Sequence, residues 1–79
     1  MKFIVTEIQT FANGTVSTIN TVKDDRNEAD STYYAILAAA AISSLPCHGA
    51  ILYTNEGGYI MAHSYQRAVN PNNTPVEEA

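Results

Sequence analysis

Apolar and β-branched residues dominate two short stretches near the start of the chain, FIVTEIQT over Phe3–Thr10 and TVSTINTV over Thr15–Val22, with Asn13-Gly14 between them. Asn-Gly between two such runs is a strong hairpin signal, because both residues tolerate the positive φ of a tight turn. With Asn13 and Gly14 as a two-residue loop, Ala12 faces Thr15, Thr10 faces Ser17 and Ile8 faces Ile19. That register groups Ile4, Thr6, Ile8, Ile19 and Thr21 on one face. Phe3, Val5, Glu7, Gln9, Phe11, Val16, Thr18, Asn20 and Val22 fall on the other. Neither face is cleanly polar, so both are expected to be at least partly covered.

The pattern changes at KDDRNEADS, where carboxylates gather just before an alanine-rich run. Acids in a first turn complement the helix dipole, and Asp24, Asp25 or Asn27 can cap free backbone N–H groups. The spacing predicts a helix over about Asn27 to Ser44, ended by Pro46, which biases Leu45 toward extended geometry. At 100° per residue Ala29, Tyr33, Ile36, Leu37 and Ala40 form one stripe, expected to face a sheet. The opposite side holds Tyr34, Ala35, Ala38, Ile42 and Leu45, which are also apolar or small. No Asp, Glu, Lys or Arg occurs from Ser31 through Asn55.

His48 to Thr54 reads as a third strand, Asn55-Glu56-Gly57-Gly58 as a turn and Tyr59 to Arg67 as a fourth strand. A two-residue loop groups Ile51, Tyr53, Ile60 and Ala62 on one face, and Leu52, Tyr59, Met61, His63 and Tyr65 on the other. From Ala68 the composition becomes AVNPNNTPVEEA, a polar tail without a core of its own. The expectation is one α+β domain over residues 1–67 with a tail over 68–79. Its order is ββαββ: an antiparallel four-stranded sheet with one helix packed across it.

A 79-residue chain buries only about 60 to 65% of the surface it exposes when unfolded. Small domains gain stability from disulfides, metals or oligomerisation, and the single cysteine, Cys47, excludes an internal disulfide. An apolar outer helix face in so small a chain points to a homo-oligomer, with Tyr34, Ala38, Ile42 and Leu45 as the candidate interface. The opening MKFIVTEIQT is broken by Glu7 and has no cleavage pattern, so it does not read as a signal peptide. No apolar run reaches the roughly 18 residues of a membrane span, and a bacterial cytoplasm is the expected setting. The formal charge of −4, from eight acids and four scattered bases, argues against nucleic-acid binding.

Candidate chemistry is sparse. Cys47 and His48 are neighbours whose side chains point to opposite faces of a strand, so with His63 they make a poor metal site, and no metal or cofactor is expected. Cys47 also lacks a positioned base for nucleophilic work. Asp24, Asp25, Glu28 and Asp30 are explained by capping, and Gly57-Gly58 joins two strands rather than opening a helix around a phosphate. The remaining feature is aromatic. Tyr59, Met61, His63, Tyr65 and Arg67 alternate along one strand, with Tyr33, Tyr34 and Tyr53 elsewhere. Tyrosine stacks and arginine grips phosphate or carboxylate, so Tyr59, His63, Tyr65 and Arg67 are the candidate ligand-binding residues. Subunit-interface packing explains the same enrichment.

VTEIQT, the Asn-Gly turn, DDRNEADSTYYAILAAAAISSLP with a histidine two residues later, and TNEG together resemble a family of small proteins of Firmicutes bacteria and their prophages. The resemblance covers roughly Lys2 to Tyr65, and the NEAD-to-alanine segment is its most distinctive part. The tail differs from the acidic, Pro-Glu-rich ends associated with that family. The family has no established activity, so the resemblance implies a phage-related setting and supplies no catalytic residue. Two non-enzymatic expectations follow: a homo-oligomeric binder that sequesters a host factor or a small nucleotide-like signal, or a structural and assembly component with no small-molecule ligand.

Overall fold

A computed structural model describes residues 1–69 and 75–77. The elements are β1 (Phe3–Thr10), β2 (Val16–Lys23), α1 (Arg26–Ala41), β3 (Cys47–Thr54), β4 (Tyr59–Val69) and β5 (Pro75–Glu77). The strands form one antiparallel sheet in the order β2-β1-β3-β4-β5, and the helix packs across it. The ββαββ arrangement is therefore as the sequence predicts. One addition concerns the expected tail: β4 runs on to Val69, and Pro75–Glu77 pairs with its end as a fifth strand. The rest of that tail, residues 70–74 and 78–79, lies outside the described residues.

The first hairpin departs from the predicted register by one residue. Thr10 pairs with Val16 and Ile8 with Thr18, not with Ser17 and Ile19. The cause is the loop. Phe11 N–H donates to Thr15 O at 2.8 Å and Gly14 N–H to Phe11 O at 2.9 Å, so Ala12, Asn13 and Gly14 form a three-residue loop closed by Gly14 at φ 88°. A glycine in the left-handed region at the loop's last position is the usual partner of such a turn. Because side chains alternate, this slip exchanges the two faces of β2. Ile19 and Thr21 join Phe3, Val5 and Glu7, whereas Val16, Thr18, Asn20 and Val22 join Ile4, Thr6 and Ile8.

The second hairpin has the same loop, with Thr54 N–H donating to Gly58 O at 2.8 Å and Gly57 at φ 87°. Here a β-bulge follows at once. Tyr53 pairs with Tyr59 and Leu52 with Met61, which leaves Ile60 as the extra residue. From Met61 on the bulge restores the predicted pairing, so Ile51 lies opposite Ala62 and Leu52 shares its face with Met61, His63 and Tyr65. Before it the prediction fails, since Tyr59 pairs with Tyr53 and Ile60 packs against the core instead of joining Ile51 and Tyr53.

The helix begins as expected and ends early. Asp25 is the N-cap, its Oδ2 accepting from Glu28 N–H at 3.1 Å. Regular winding stops at Ala41 rather than near Ser44, since Ile42 and Ser43 turn back to Ala39 and Ala40 with shorter-range bonds. Ser43 Oγ then accepts from Leu45 N–H at 3.1 Å, drawing the backbone out of the helix ahead of Pro46. Lys2 pairs with Asp24 beside the helix start. Its hydrogen bond and charge hold the Asp24 carboxyl below the ordinary carboxylate value.

The predicted sheet-facing stripe is the one that packs. Ala29, Tyr33 and Ala40 are buried, and the core joins Ala29 and Tyr33 to Val5, Ala50 and Leu52, with Phe3, Ile36, Leu37, Ile60 and Met61 around it. Burying such side chains supplies the main favourable term in folding, about 25 cal/mol per Å² of apolar surface. Gly49 marks the tightest approach in the sheet. A Cβ there would lie 2.5 Å from His63 O and 2.7 Å from Ser64 Cα, both backbone atoms that cannot rotate aside. Gly49→Ala is expected to cost about 1 to 3 kcal/mol, the range for overpacking, read as a lower urea midpoint. An unchanged midpoint would mean that β3 and β4 can separate at no cost.

Candidate functional site

The register places Met61, His63, Tyr65 and Arg67 on the helix-facing side of β4, opposite Leu52, Ala50 and His48 where partners are given. His63 and Tyr65 meet edge to face with centroids 4.8 Å apart, and the Arg67 guanidinium carbon lies 5.9 Å from the Tyr65 ring centre. The alternation read from the sequence thus brings these three together. Tyr59 lies beyond the bulge and is 71% exposed.

Arg67 has a different role from the one the sequence suggests. It is 7% exposed, and its Nη2 donates to Ala40 O at 3.2 Å and Ala41 O at 2.7 Å. The last carbonyls of a helix have no partner within it and carry the negative end of its dipole, so a guanidinium there satisfies both needs. Arg67 N–H also donates to Pro46 O at 2.7 Å. The arginine expected to grip a ligand is the C-terminal cap of α1, and the side chain that closes the helix comes from β4.

A second polar pair was not legible in the sequence. His48 is 5% exposed, and its Nε2 lies 2.7 Å from Glu7 Oε2. Gln9 Nε2 approaches the same carboxylate oxygen at 3.4 Å. His48 sits opposite Gln9 on one side and Tyr65 on the other, so Glu7 reaches it diagonally across β1 and β3. His48 Nδ1 is buried and has no hydrogen-bond partner among the described residues. An imidazole held by a carboxylate is half of a nucleophile-activating arrangement. The other half is missing, since Cys47 lies on the opposite face of β3 and no hydroxyl or thiol is bonded to His48 among the described residues. The pair therefore gives the buried imidazole of His48 a partner in the half-buried Glu7 carboxylate. Among the described residues, no group of three or more His, Cys, Asp or Glu side chains converges to hold a metal.

Tyr33 and Tyr34 are the two tyrosines of the helix. Tyr33 is buried and meets Tyr34 edge to face at 5.2 Å, and Tyr34 OH donates to Met61 Sδ at 3.5 Å. Of the candidate interface residues, Tyr34 is 56% and Ile42 88% exposed, Ala38 is exposed and Leu45 is half-buried. Tyr34 leans toward β4, so the outward helix surface is mostly alanine.

The open face of the sheet is the larger uncovered surface. It carries Ile4, Thr6, Ile8 and Thr10 from β1, Val16, Thr18, Asn20 and Val22 from β2, Cys47, Gly49, Ile51 and Tyr53 from β3, and Ala62, Ser64 and Gln66 from β4. None of these residues is charged. Thr6 Oγ1 donates to Asn20 Oδ1 at 2.6 Å and lies 3.0 Å from Tyr53 OH, which joins these three polar groups across β2, β1 and β3. Beside them is a shallow hollow of about 480 Å³ where Gly49 lacks a side chain, bordered by Ile8, Cys47, Ile51, Ala62 and Ser64. Of the four candidate ligand-binding residues only His63 borders it.

Two measurements test this account. Arg67→Met removes charge-assisted bonds to two helix carbonyls and is expected to cost about 2 to 3 kcal/mol in urea unfolding, with loss of helical ellipticity at the C-terminal turn. The second concerns pH. Burial first, then Tyr34, Tyr59 and Tyr65, push the Tyr33 phenol above its ordinary 10.0. The unfolded chain therefore loses this proton before the folded one does. Stability from Tyr33 is complete below about pH 10 and falls as pH rises through the folded value. Tyr33→Phe should flatten the decline in melting temperature above about pH 10, and an unaltered slope would assign that decline to other groups.

No family model, curated protein or solved structure matches the chain, so the reading of these surfaces rests on their own geometry.

Proposed function

We propose that the protein is a small non-enzymatic binding and assembly protein that acts as a homo-oligomer, with the open face of its sheet packed against a second copy. The observation that carries this reading is the absence of charge on that face in a chain with a net charge of −4. Two molecules of like charge repel, and a face without charged groups is where they approach at least electrostatic cost. The face also suits a second sheet in size. Four strands of about eight residues, rising about 3.3 Å per residue and spaced about 4.8 Å apart, present roughly 500 Å². Two such faces bury roughly 1,000 Å², the lower bound for a specific interface.

Sequestration of a nucleotide-like signal by Tyr59, His63, Tyr65 and Arg67 has less support. Its only cation is engaged with the helix carbonyls, and the hollow lies on the other side of the sheet. Among the described residues no helix is long and apolar enough to cross a membrane. Our reading places the protein in a reducing bacterial cytoplasm, where Cys47 remains a thiol.

Light scattering at micromolar concentration tests the reading. The wild-type chain should have a multiple of the monomer mass. Ser64→Arg, at an exposed position on the open face, should at least halve that mass while leaving the circular dichroism spectrum intact. Ala38→Glu, on the outer helix surface, should leave the mass unchanged. A wild-type monomer, or a mass lost on Ala38→Glu and kept on Ser64→Arg, would overturn the assignment of the open face.

A further inference from the structure

The two edges of the sheet are not alike. One is β5, three residues long and opened by Pro75, which is how natural sheets protect an edge from pairing. The other is β2, eight residues without proline or bulge, whose only charge is Lys23 at its end. Val16, Ile19 and Val22 on this strand are 59%, 50% and 58% exposed. We propose that the outer edge of β2 is a second self-association site, where two copies pair β2 to β2 about a two-fold axis through Ile19 and continue one sheet across both molecules.

The backbone fixes which registers are possible. Phe11 and Thr15 form a hydrogen-bonded pair, and the ladder runs from there without a break. Antiparallel pairs alternate, so Ser17, Ile19 and Thr21 direct their N–H and C=O groups to β1. Val16, Thr18, Asn20 and Val22 direct theirs outward. A two-fold ladder must match outward residues with outward residues, which excludes every register that pairs even with odd positions. Among those left, only the one centred on Ile19 sets all three exposed apolar side chains against apolar partners. Val16 lies opposite Val22 of the second copy, Thr18 opposite Asn20, Ser17 opposite Thr21, and Ile19 opposite itself.

This register joins open face to open face and helix side to helix side. It goes beyond the stacking proposed above and does not depend on it, because it uses backbone groups at the rim of the sheet. The two contacts are compatible. Edge pairing doubles the uncharged face, and two such doubled faces can stack as a dimer of dimers.

Cross-linking tests the register directly. Ile19 and its symmetry mate would occupy a non-hydrogen-bonded pair with Cα atoms about 4.5 Å apart, within the span of a disulfide. With Cys47→Ser as background, Ile19→Cys should form a covalent dimer under mild oxidation. Thr21→Cys in the same background should not, since it lies opposite Ser17. Thr18→Pro, which removes an outward N–H and leaves every bond to β1, should abolish the Ile19→Cys cross-link and lower the native mass. Equal cross-linking at both positions, or none at Ile19→Cys, overturns the edge pairing. The outcomes separate the two contacts: a cross-link at Ile19→Cys with a mass indifferent to Ser64→Arg keeps the edge and rejects the stack. A mass halved by Ser64→Arg without that cross-link does the reverse.

Discussion

Side chains on a strand alternate between two faces, so a single residue gained or lost in a loop decides what an entire strand presents to each side. This parity governs the molecule. Both hairpins close with three-residue loops ending in a glycine of positive φ, and only the second is followed by a bulge. Had β4 paired without the bulge at Ile60, the side under the helix would carry Ala62, Ser64 and Gln66. Met61, His63, Tyr65 and Arg67 would then stand on the open face. Had β2 paired as a two-residue loop requires, Lys23 would share a face with Ile4 and Ile8. Loop and bulge together keep Lys23 and Arg67 on the helix side, where Glu7 already lies, and leave the other face without charge.

Placing these charges beside the helix requires that each find a partner or reach solvent at the rim. Arg67 takes the carbonyls at the end of α1, and Glu7 takes His48. Lys23, at the end of its strand, stays half-buried at the sheet's rim. A buried ion without a partner costs several kcal/mol, so these contacts are conditions of the fold as much as consequences of it. Arg67 in particular ties the last strand of the ββαββ unit to the end of its helix. Elements far apart in sequence thereby become one cooperative unit.

The helix was legible because its signal is local. The 3.6-residue spacing of Ala29, Tyr33, Ile36, Leu37 and Ala40 is present in the chain itself, and the cap at Asp25 lies one residue before the first turn. Strand existence was legible for the same reason. Parity was not, because Asn-Gly is compatible with loops of two or three residues and nothing in β1 or β2 alone distinguishes them. In the second hairpin the expected faces hold only from Met61 on, because the loop is one residue longer than a two-residue turn and the bulge adds one residue back; Tyr59 and Ile60, ahead of the bulge, depart from them. The capping bonds of Arg67 are not legible because they go to backbone atoms 26 and 27 residues away, which no pattern of side chains reveals. The Glu7–His48 pair was missed because it depends on the order of β1 and β3 in the sheet.

A helix can cover one face of a sheet, and among the described residues it has no counterpart on the other. The usual outcome of such asymmetry in a single layer is a polar outer face, with lysine and glutamate alternating against the core. Here the outer face instead carries isoleucine, valine and uncharged polar residues, three of which, Thr6, Asn20 and Tyr53, are hydrogen-bonded to one another. Polar groups that satisfy each other do not need water, so this cluster lowers the cost of covering the face at its centre. An edge strand without proline, bulge or central charge lowers the corresponding cost at the rim. Both features involve β2, and both depend on the same three-residue loop. With the shorter loop Lys23 would enter the open face, and Val16 and Val22 would leave it. One loop residue thus separates a surface fit for a second copy from one that would repel it.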